Sequence, residues 1–240
     1  MCEECGCGLP EDVKNKAHGH HHEEVNVYRS LLEENERQAD GNREHLFEHK
    51  CFAVNLMGSP GAGKTALLEA LVRKIGDKHR IAGVEGDLAT DRDAERLRKL
   101  GIEAVQIVTG STCHLDAKSL HKALHELKLK DLHFLLVENV GNLVCPAFYD
   151  LGCHLNGVLL SVTEGADKVA KYPVIFRKSQ FFAVTKIDLL PHVDFSLEQP
   201  KKEAKLLNGG IRFFSFSAKT GEGVDQFADY LIKEREVVFS

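Results

Sequence analysis

The stretch that decides the fold is Gly58-Ser59-Pro60-Gly61-Ala62-Gly63-Lys64-Thr65. It fits G-x-x-x-x-G-K-[ST] at every fixed position, follows the apolar run Cys51–Met57 and opens the amphipathic run Thr65–Ile75. A strand, a Gly-rich turn and a helix in that order form a phosphate-binding loop. Its glycines let backbone N–H groups turn inward around a β-phosphate, helped by the helix N-terminus. Gly58, Ser59, Gly61, Ala62 and Gly63 are therefore expected to line the phosphates. Lys64 is expected to reach the β- and γ-phosphates, and the Thr65 hydroxyl to ligate Mg²⁺.

Outward from this loop, short apolar runs alternate with amphipathic ones. Arg80–Glu85, Glu103–Val108, Leu132–Glu138, Gly157–Val162, Phe181–Thr185 and Arg212–Phe216 read as further strands. Asp91–Leu100, Asp116–Leu127 and Val224–Lys233 read as helices. Such alternation predicts an α/β fold, a mostly parallel sheet flanked by helices. Ligands in such sheets bind beyond the C-terminal strand ends, so the motifs gather on one edge.

Two carboxylates fall at those strand ends. Asp87 follows the run ending at Glu85, and Glu138 closes the run from Leu132. Mg²⁺ takes one or two carboxylates besides phosphate and water, and Asp87 and Glu138 are the expected pair. Asp91 or Asp93 can orient an attacking water, or can simply occupy the first turn of a helix whose dipole favours acidic groups. Lys64, Asp87 and Asp91 make up the expected catalytic set.

The base is addressed further along. Thr185-Lys186-Ile187-Asp188 follows a strand and resembles the N-K-x-D motif of GTPases, whose Asp accepts from two guanine N–H groups. Ser217-Ala218-Lys219 follows the last strand and resembles their S-A-K loop. Lys186, Asp188, Ser217, Ala218 and Lys219 are thus expected around the base, with GTP or GDP favoured over adenine nucleotides. The departure is Thr185, where the pattern has Asn.

The N-terminal part differs in chemistry. Of the 240 residues, the first 50 hold 12 acidic against 6 Lys and Arg, and the other 190 carry 24 acidic and 25 basic. With no basic face of any size, a nucleic-acid partner is not expected. No apolar run approaches the ~20 residues that span a bilayer, so membrane insertion is not expected either. Cys2, Glu3, Glu4 and Cys5 stand where a secretory signal would be basic and then apolar, which points to a cytoplasmic protein with reduced thiols. The expected division is a metal-binding tail and linker helix over 1–48 and a P-loop domain over 49–240. Within the first part, Glu23–Ala39 reads as a helix on the partial stripe Val27, Leu31 and Leu32, and Asp40-Gly41-Asn42 reads as its break.

Cys2, Cys5 and Cys7 give C-x-x-C-x-C beside a free terminus, with Gly6 and Gly8 permitting a tight turn. Thiolates with a terminal or backbone nitrogen suit square-planar Ni²⁺, and four thiolates in a tetrahedron suit Zn²⁺. The tract His18-Gly19-His20-His21-His22 is an auxiliary metal binder or a solvated segment. Cys113-His114 and Cys145 lie on loops of the ligand edge, where a metal would feel the nucleotide. Cys51 reads as a small core residue and Cys153-His154 as structural. His121 and His125 lie i, i+4 beside an apolar stripe and read better as a solvated flank than as a ligand pair.

MCEECGCG, GSPGAGKT, GDLATDRDAER, TGSTCHLDA, ENVGNLVCPA, TKID and SAKTGEG, in this order, resemble the hydrogenase nickel-incorporation GTPase family, HypB. The resemblance covers 51–235 and the extreme N-terminus. It implies a P-loop GTPase that forms a homodimer on binding GTP and, with a maturation partner, delivers Ni²⁺ to the large subunit of [NiFe] hydrogenase. It also implies a tight nickel site at Cys2, Cys5 and Cys7, and a second site for Zn²⁺ or Ni²⁺ at Cys113, His114 and Cys145 on the dimer interface. Some members add a His five or nine residues after the first of those Cys; here Lys118 and Lys122 stand there. A nickel-storage protein with a subsidiary GTPase is the alternative. The related urease-nickel GTPases lack the N-terminal C-x-x-C-x-C.

Overall fold

In the computed structural model, the described residues are 11–87, 92–110 and 112–240, and the side chains of 11–28 and 92 lie outside the description. Phe52–Gly58 (β1) alternates Phe52, Val54 and Leu56 toward one side of the sheet with Ala53 and Met57 toward the other, and all are buried. A strand covered on both faces belongs inside a parallel sheet. Ile81–Asp87 (β2), Glu103–Val108 (β3), Phe134–Glu138 (β4), Leu155–Ser161 (β5), Phe181–Thr185 (β6) and Arg212–Phe216 (β7) complete it. The order is β3-β2-β4-β1-β5-β6-β7, with every pairing parallel. The predicted parallel α/β architecture is the observed one. β1 sits at the centre, so the loop that follows it opens in the middle of the C-terminal edge.

Lys64–Ile75 (α2) and Val224–Phe239 (α8) cover one face, closing a core around Leu67, Leu71, Phe181 and Phe227. Glu11–Glu48 (α1) and Ala117–Glu126 (α4) pack on the other face over Leu46, Ala53, Leu120, Leu124 and Leu135. Arg92–Arg98 (α3) follows β2. Lys168–Lys171 (α5), Pro173–Lys178 (α6) and Glu198–Leu207 (α7) close a third cluster around Phe176, Phe182 and Ile211. None of these three helices is among those expected from the sequence. Asp116 caps α4 by accepting from the Ser119 N–H at 2.7 Å. No helix among the described residues is long and apolar enough to cross a membrane.

Both predicted ends of the first helix are corrected: it starts at Glu11 rather than Glu23, and it does not stop at Ala39. α1 runs through Asp40-Gly41-Asn42 to Glu48, and Leu31, expected on its apolar stripe, is exposed. The buried face is Asn35, Ala39, Asn42 and Leu46. Asn35 donates to the Asp150 carbonyl (2.8 Å) and accepts from Ala117 N–H (2.9 Å); Asn42 donates to the carbonyls of Ala117 (2.8 Å) and Leu151 (3.0 Å). Gly152, at φ +80°, lets the chain pass so close to α1 that a Cβ there would lie 2.2 Å from the Ala39 oxygen. Glycine in a helix interior costs ~1 kcal/mol. Several buried hydrogen bonds at about 1 kcal/mol each offset it.

Candidate functional site

The loop after β1 turns as its glycines permit, with φ +80° at Gly61 and +91° at Gly63. Ala62 N–H donates to Ser59 O at 3.1 Å, tightening the turn. Lys64 is buried; its ammonium donates to Gly58 O (3.3 Å) and Ser59 O (3.4 Å) and lies 3.8 Å from Glu138 Oε1. The Thr65 hydroxyl donates to the same Glu138 oxygen at 3.2 Å. A cavity of about 450 Å³ gathers Gly61, Gly63, Lys64, Thr65, Asp87, Asp93, Arg96, Glu138 and Lys186. Eight residues named from the sequence, Gly61, Gly63, Lys64, Thr65, Asp87, Asp93, Glu138 and Lys186, therefore line one cavity. Asp91 lies outside the described residues, as do Cys2, Cys5 and Cys7.

Glu85 was not anticipated as part of this site. It stands directly opposite Glu138 in the β2–β4 register and is likewise buried. Burial, and then the Glu138 charge beside it, push the Glu85 carboxyl well up; burial also raises Glu138, against the pull of Lys64. Glu85 Oε1 and Glu138 Oε2 are buried without a hydrogen-bond partner. Two adjacent carboxyls with unsatisfied buried oxygens, plus Thr65 and Asp87, are a donor set that suits a hard divalent cation.

A second cavity of about 300 Å³ adjoins the first through Gly63 and Lys186 and is lined by Thr185, Asp188, Ser217, Ala218 and Lys219. The Ser217 hydroxyl donates to Asp188 Oδ1 at 2.6 Å, which orients the carboxylate. Thr185 donates to the Ala62 carbonyl at 2.6 Å, so the residue that departs from the guanine pattern ties the base loop to the phosphate loop.

The third group lies beside these. Cys113, His114 and Cys145 each offer a donor atom, all within 4.8 Å of one another. The two sulfurs are 3.0 Å apart as free thiols, and the Cys113 contact, more than burial, raises the Cys145 thiol. His114 stacks on Tyr149 with ring centroids 3.7 Å apart. Its Nδ1 is buried without a partner, and burial holds the ring below the usual imidazole range, hence neutral and able to ligate. Two thiols and an imidazole suit Zn²⁺ or Ni²⁺.

Asn139 and Asn142 connect the groups, and sequence reasoning gave neither a role. Asn139, fully buried at the end of β4, accepts from Leu115 N–H (3.1 Å) and donates to Asn55 Oδ1 (3.2 Å). Asn142 pairs with Gly58 in an antiparallel bridge and donates to the Cys113 carbonyl at 3.2 Å. Gly141 lies against the loop so tightly that a Cβ would come 2.7 Å from Pro60 Cγ. The only sequence signal for this was the polar E-N-V-G-N run at a strand end.

This sheet order and loop define a P-loop nucleotide-binding protein, with a Cys/His cluster beside the loop. Residues 52–215 match the model of the CobW/HypB/UreG nucleotide-binding domain. The chain belongs to that family, within its HypB branch. It is 41% identical over 211 residues to the hydrogenase maturation factor HypB of Azotobacter chroococcum mcd 1, covering 88% of this chain and 69% of that one. The solved HypB of Helicobacter pylori, in complex with nickel, is 39% identical with a TM-score of 0.82, covering 86% of this chain and 97% of that one. The solved HypB of Archaeoglobus fulgidus is 41% identical with a TM-score of 0.79, covering 84% and 98%.

Proposed function

We propose that this chain is a cytoplasmic GTPase that carries nickel and uses GTP turnover to time its release to the large subunit of [NiFe] hydrogenase. The observation that carries this is the link Gly58–Asn142–Cys113, which joins the first glycine of the phosphate loop to the loop bearing two metal donors. A change at the phosphates reaches the metal through two hydrogen-bonded contacts. Relatives named as hydrogenase maturation factors and a nickel-bearing structural neighbour support the same reading.

Asp188, held by Ser217, accepts the two guanine N–H donors, while the backbone and Lys64 hold the phosphates. Thr65, Asp87 and Glu138 would hold Mg²⁺, which when bound neutralises charge on the phosphate oxygens. Lys64 moves its ammonium from the loop carbonyls onto the transferring phosphoryl group, so that catalysis is chiefly positioning and electrostatics. Asp91, or Asp93 in the cavity wall, orients the attacking water.

Nickel or zinc is cargo at Cys113, His114 and Cys145, and nickel is held tightly at Cys2, Cys5 and Cys7. A homodimer formed on GTP binding would complete the first of these sites. Val108, at the end of β3, and Val144 and Phe148, flanking Cys145, are exposed apolar residues, as such a face requires. In Lys64→Ala, GTP turnover should fall ~10²-fold or more, hydrogenase maturation should be lost, and zinc should still bind at the Cys113 group. Turnover at the unsubstituted rate would remove the P-loop from the account.

A further inference from the structure

Four imidazoles collect away from the nucleotide edge, where α1 lies on α4. His45 comes from the last turn of α1, His49 from the turn just after it, and His121 and His125 from α4. Ring centroids lie 4.6 Å apart for His121 and His125, 5.3 Å for His45 and His125, and 6.3 Å for His45 and His121. Donor nitrogens of His45, His121 and His125 all fall within 4.8 Å of one another. The sequence reading placed His121 and His125 on a solvated flank. His125 is exposed, as that reading expects, but His121 is half-buried and its Nδ1 lies 2.9 Å from Asn42 Oδ1.

Asn42 settles the tautomer. Its amide nitrogen spends both hydrogens on the carbonyls of Ala117 and Leu151, so the oxygen facing His121 can only accept. His121 therefore carries its proton on Nδ1, which leaves a bare lone pair on Nε2. That lone pair points at His125 Nε2, 3.1 Å away. An imidazole oriented through its far nitrogen by a buried carbonyl oxygen is how metal-binding histidines are held. Asn42 is itself fully buried, so the orientation is built into the fold.

We propose that His45, His121 and His125 form a further binding site for a borderline divalent transition cation such as Zn²⁺ or Ni²⁺, with water as the fourth ligand. Zn–N bonds of ~2.0–2.1 Å in a tetrahedron put nitrogens ~3.4 Å apart. His121 and His125 already meet that spacing, and rotation of the half-buried His45 side chain closes the third side. Neutral imidazoles suit these cations, while Mg²⁺ and Ca²⁺ prefer oxygen. Lys118 and Lys122, on the same helix, are not ligands of this group. The donors come from two elements, so the cation favours their docked arrangement. α4 starts at Ala117, three residues after His114, and α1 bears the His18–His22 tract in sequence. The site thus pins the histidine-bearing helix to the element that follows the Cys113-His114 loop. It stands apart from the nucleotide reading and survives if that reading fails.

The test uses the full chain with Cys2→Ser, Cys5→Ser, Cys7→Ser, Cys113→Ser and Cys145→Ser, so that the thiol sites are silent. Equilibrium dialysis against Zn²⁺ compares this parent with the same chain carrying His121→Gln and His125→Gln. The expected result is a loss of one zinc equivalent per chain; unchanged stoichiometry overturns the proposal. Should the double Gln variant fail to fold, histidine side-chain ¹⁵N resonances of the parent decide. Zinc should move Nε2 of His121 and His125 while His121 keeps its Nδ1 proton, and resonances unmoved at saturating zinc overturn the site.

Discussion

Thr185 shows how one hydroxyl joins two halves of a ligand site. Its donation to the Ala62 carbonyl at 2.6 Å is fully buried, so neither group has water as an alternative partner. Thr185→Val keeps the shape and strands the carbonyl, at a cost of ~1–3 kcal/mol. Denaturant unfolding should register that loss, and GTP affinity should fall with it because the turn at Ala62–Gly63 loosens; unchanged values in both would show the bond to be incidental. His154 acts on stability by a different route. Its Nδ1 accepts from Ala53 N–H at 3.0 Å, its ring stacks on Phe52, and burial pushes its pKa down to about 4. The fold thus prefers the neutral ring, and the unfolded chain, titrating near ~6.5, binds the proton more readily. Its stability contribution is present above pH ~6.5 and is lost as pH falls toward 4. Melting temperature should drop over that window, and less steeply in His154→Gln. Equal slopes would assign the acid sensitivity elsewhere.

At the scale of elements, the docking of α1 is the feature that patterning could not see. Strands β3, β6 and β7 run over the predicted residues, and the others begin or end within about two residues of them, because alternation and length mark a buried strand directly. The P-loop, the guanine-type motifs and the Cys113-His114 and Cys145 positions were legible for a related reason: each is short, local and follows a strand. α1 buries Asn35 and Asn42, polar residues whose partners lie over 70 positions away in sequence, as in the pairing of Asn42 with Ala117 at a separation of 75. Hydrophobic periodicity counts such residues as solvent-facing, and Asp-Gly-Asn reads as a stop. Glu85 was hidden likewise, since its role comes from the register that sets it opposite Glu138. Asn42→Leu should destabilise by ~2–4 kcal/mol, since two backbone carbonyls lose donors. Amide exchange in the last turns of α1 should then rise while β1 and β4 stay protected. Uniform loss of protection would mean that α1 does not open as a unit.

Across the whole molecule, the central strand order places the phosphate loop and the Cys113, His114 and Cys145 cluster on one edge, and the Gly58–Asn142–Cys113 link gives them a physical connection. Coupling between two such sites is reciprocal: whatever GTP does to nickel affinity, nickel must do to GTP affinity. Val108, Val144 and Phe148 are exposed beside the Cys113 and Cys145 loops, and in the proposed GTP-dependent homodimer a second copy would read the same change there. The most direct measurement uses the chain with Cys2→Ser, Cys5→Ser and Cys7→Ser. Ni²⁺ is titrated in GDP and again in a non-hydrolysable GTP analogue, and the thiolate-to-nickel charge-transfer band is followed because it reports Cys113 and Cys145 but not the imidazole cluster. The account expects affinities that differ by about 5- to 150-fold, with the same factor recovered when nucleotide is titrated with and without nickel. Identical nickel affinities in the two nucleotide states would contradict it.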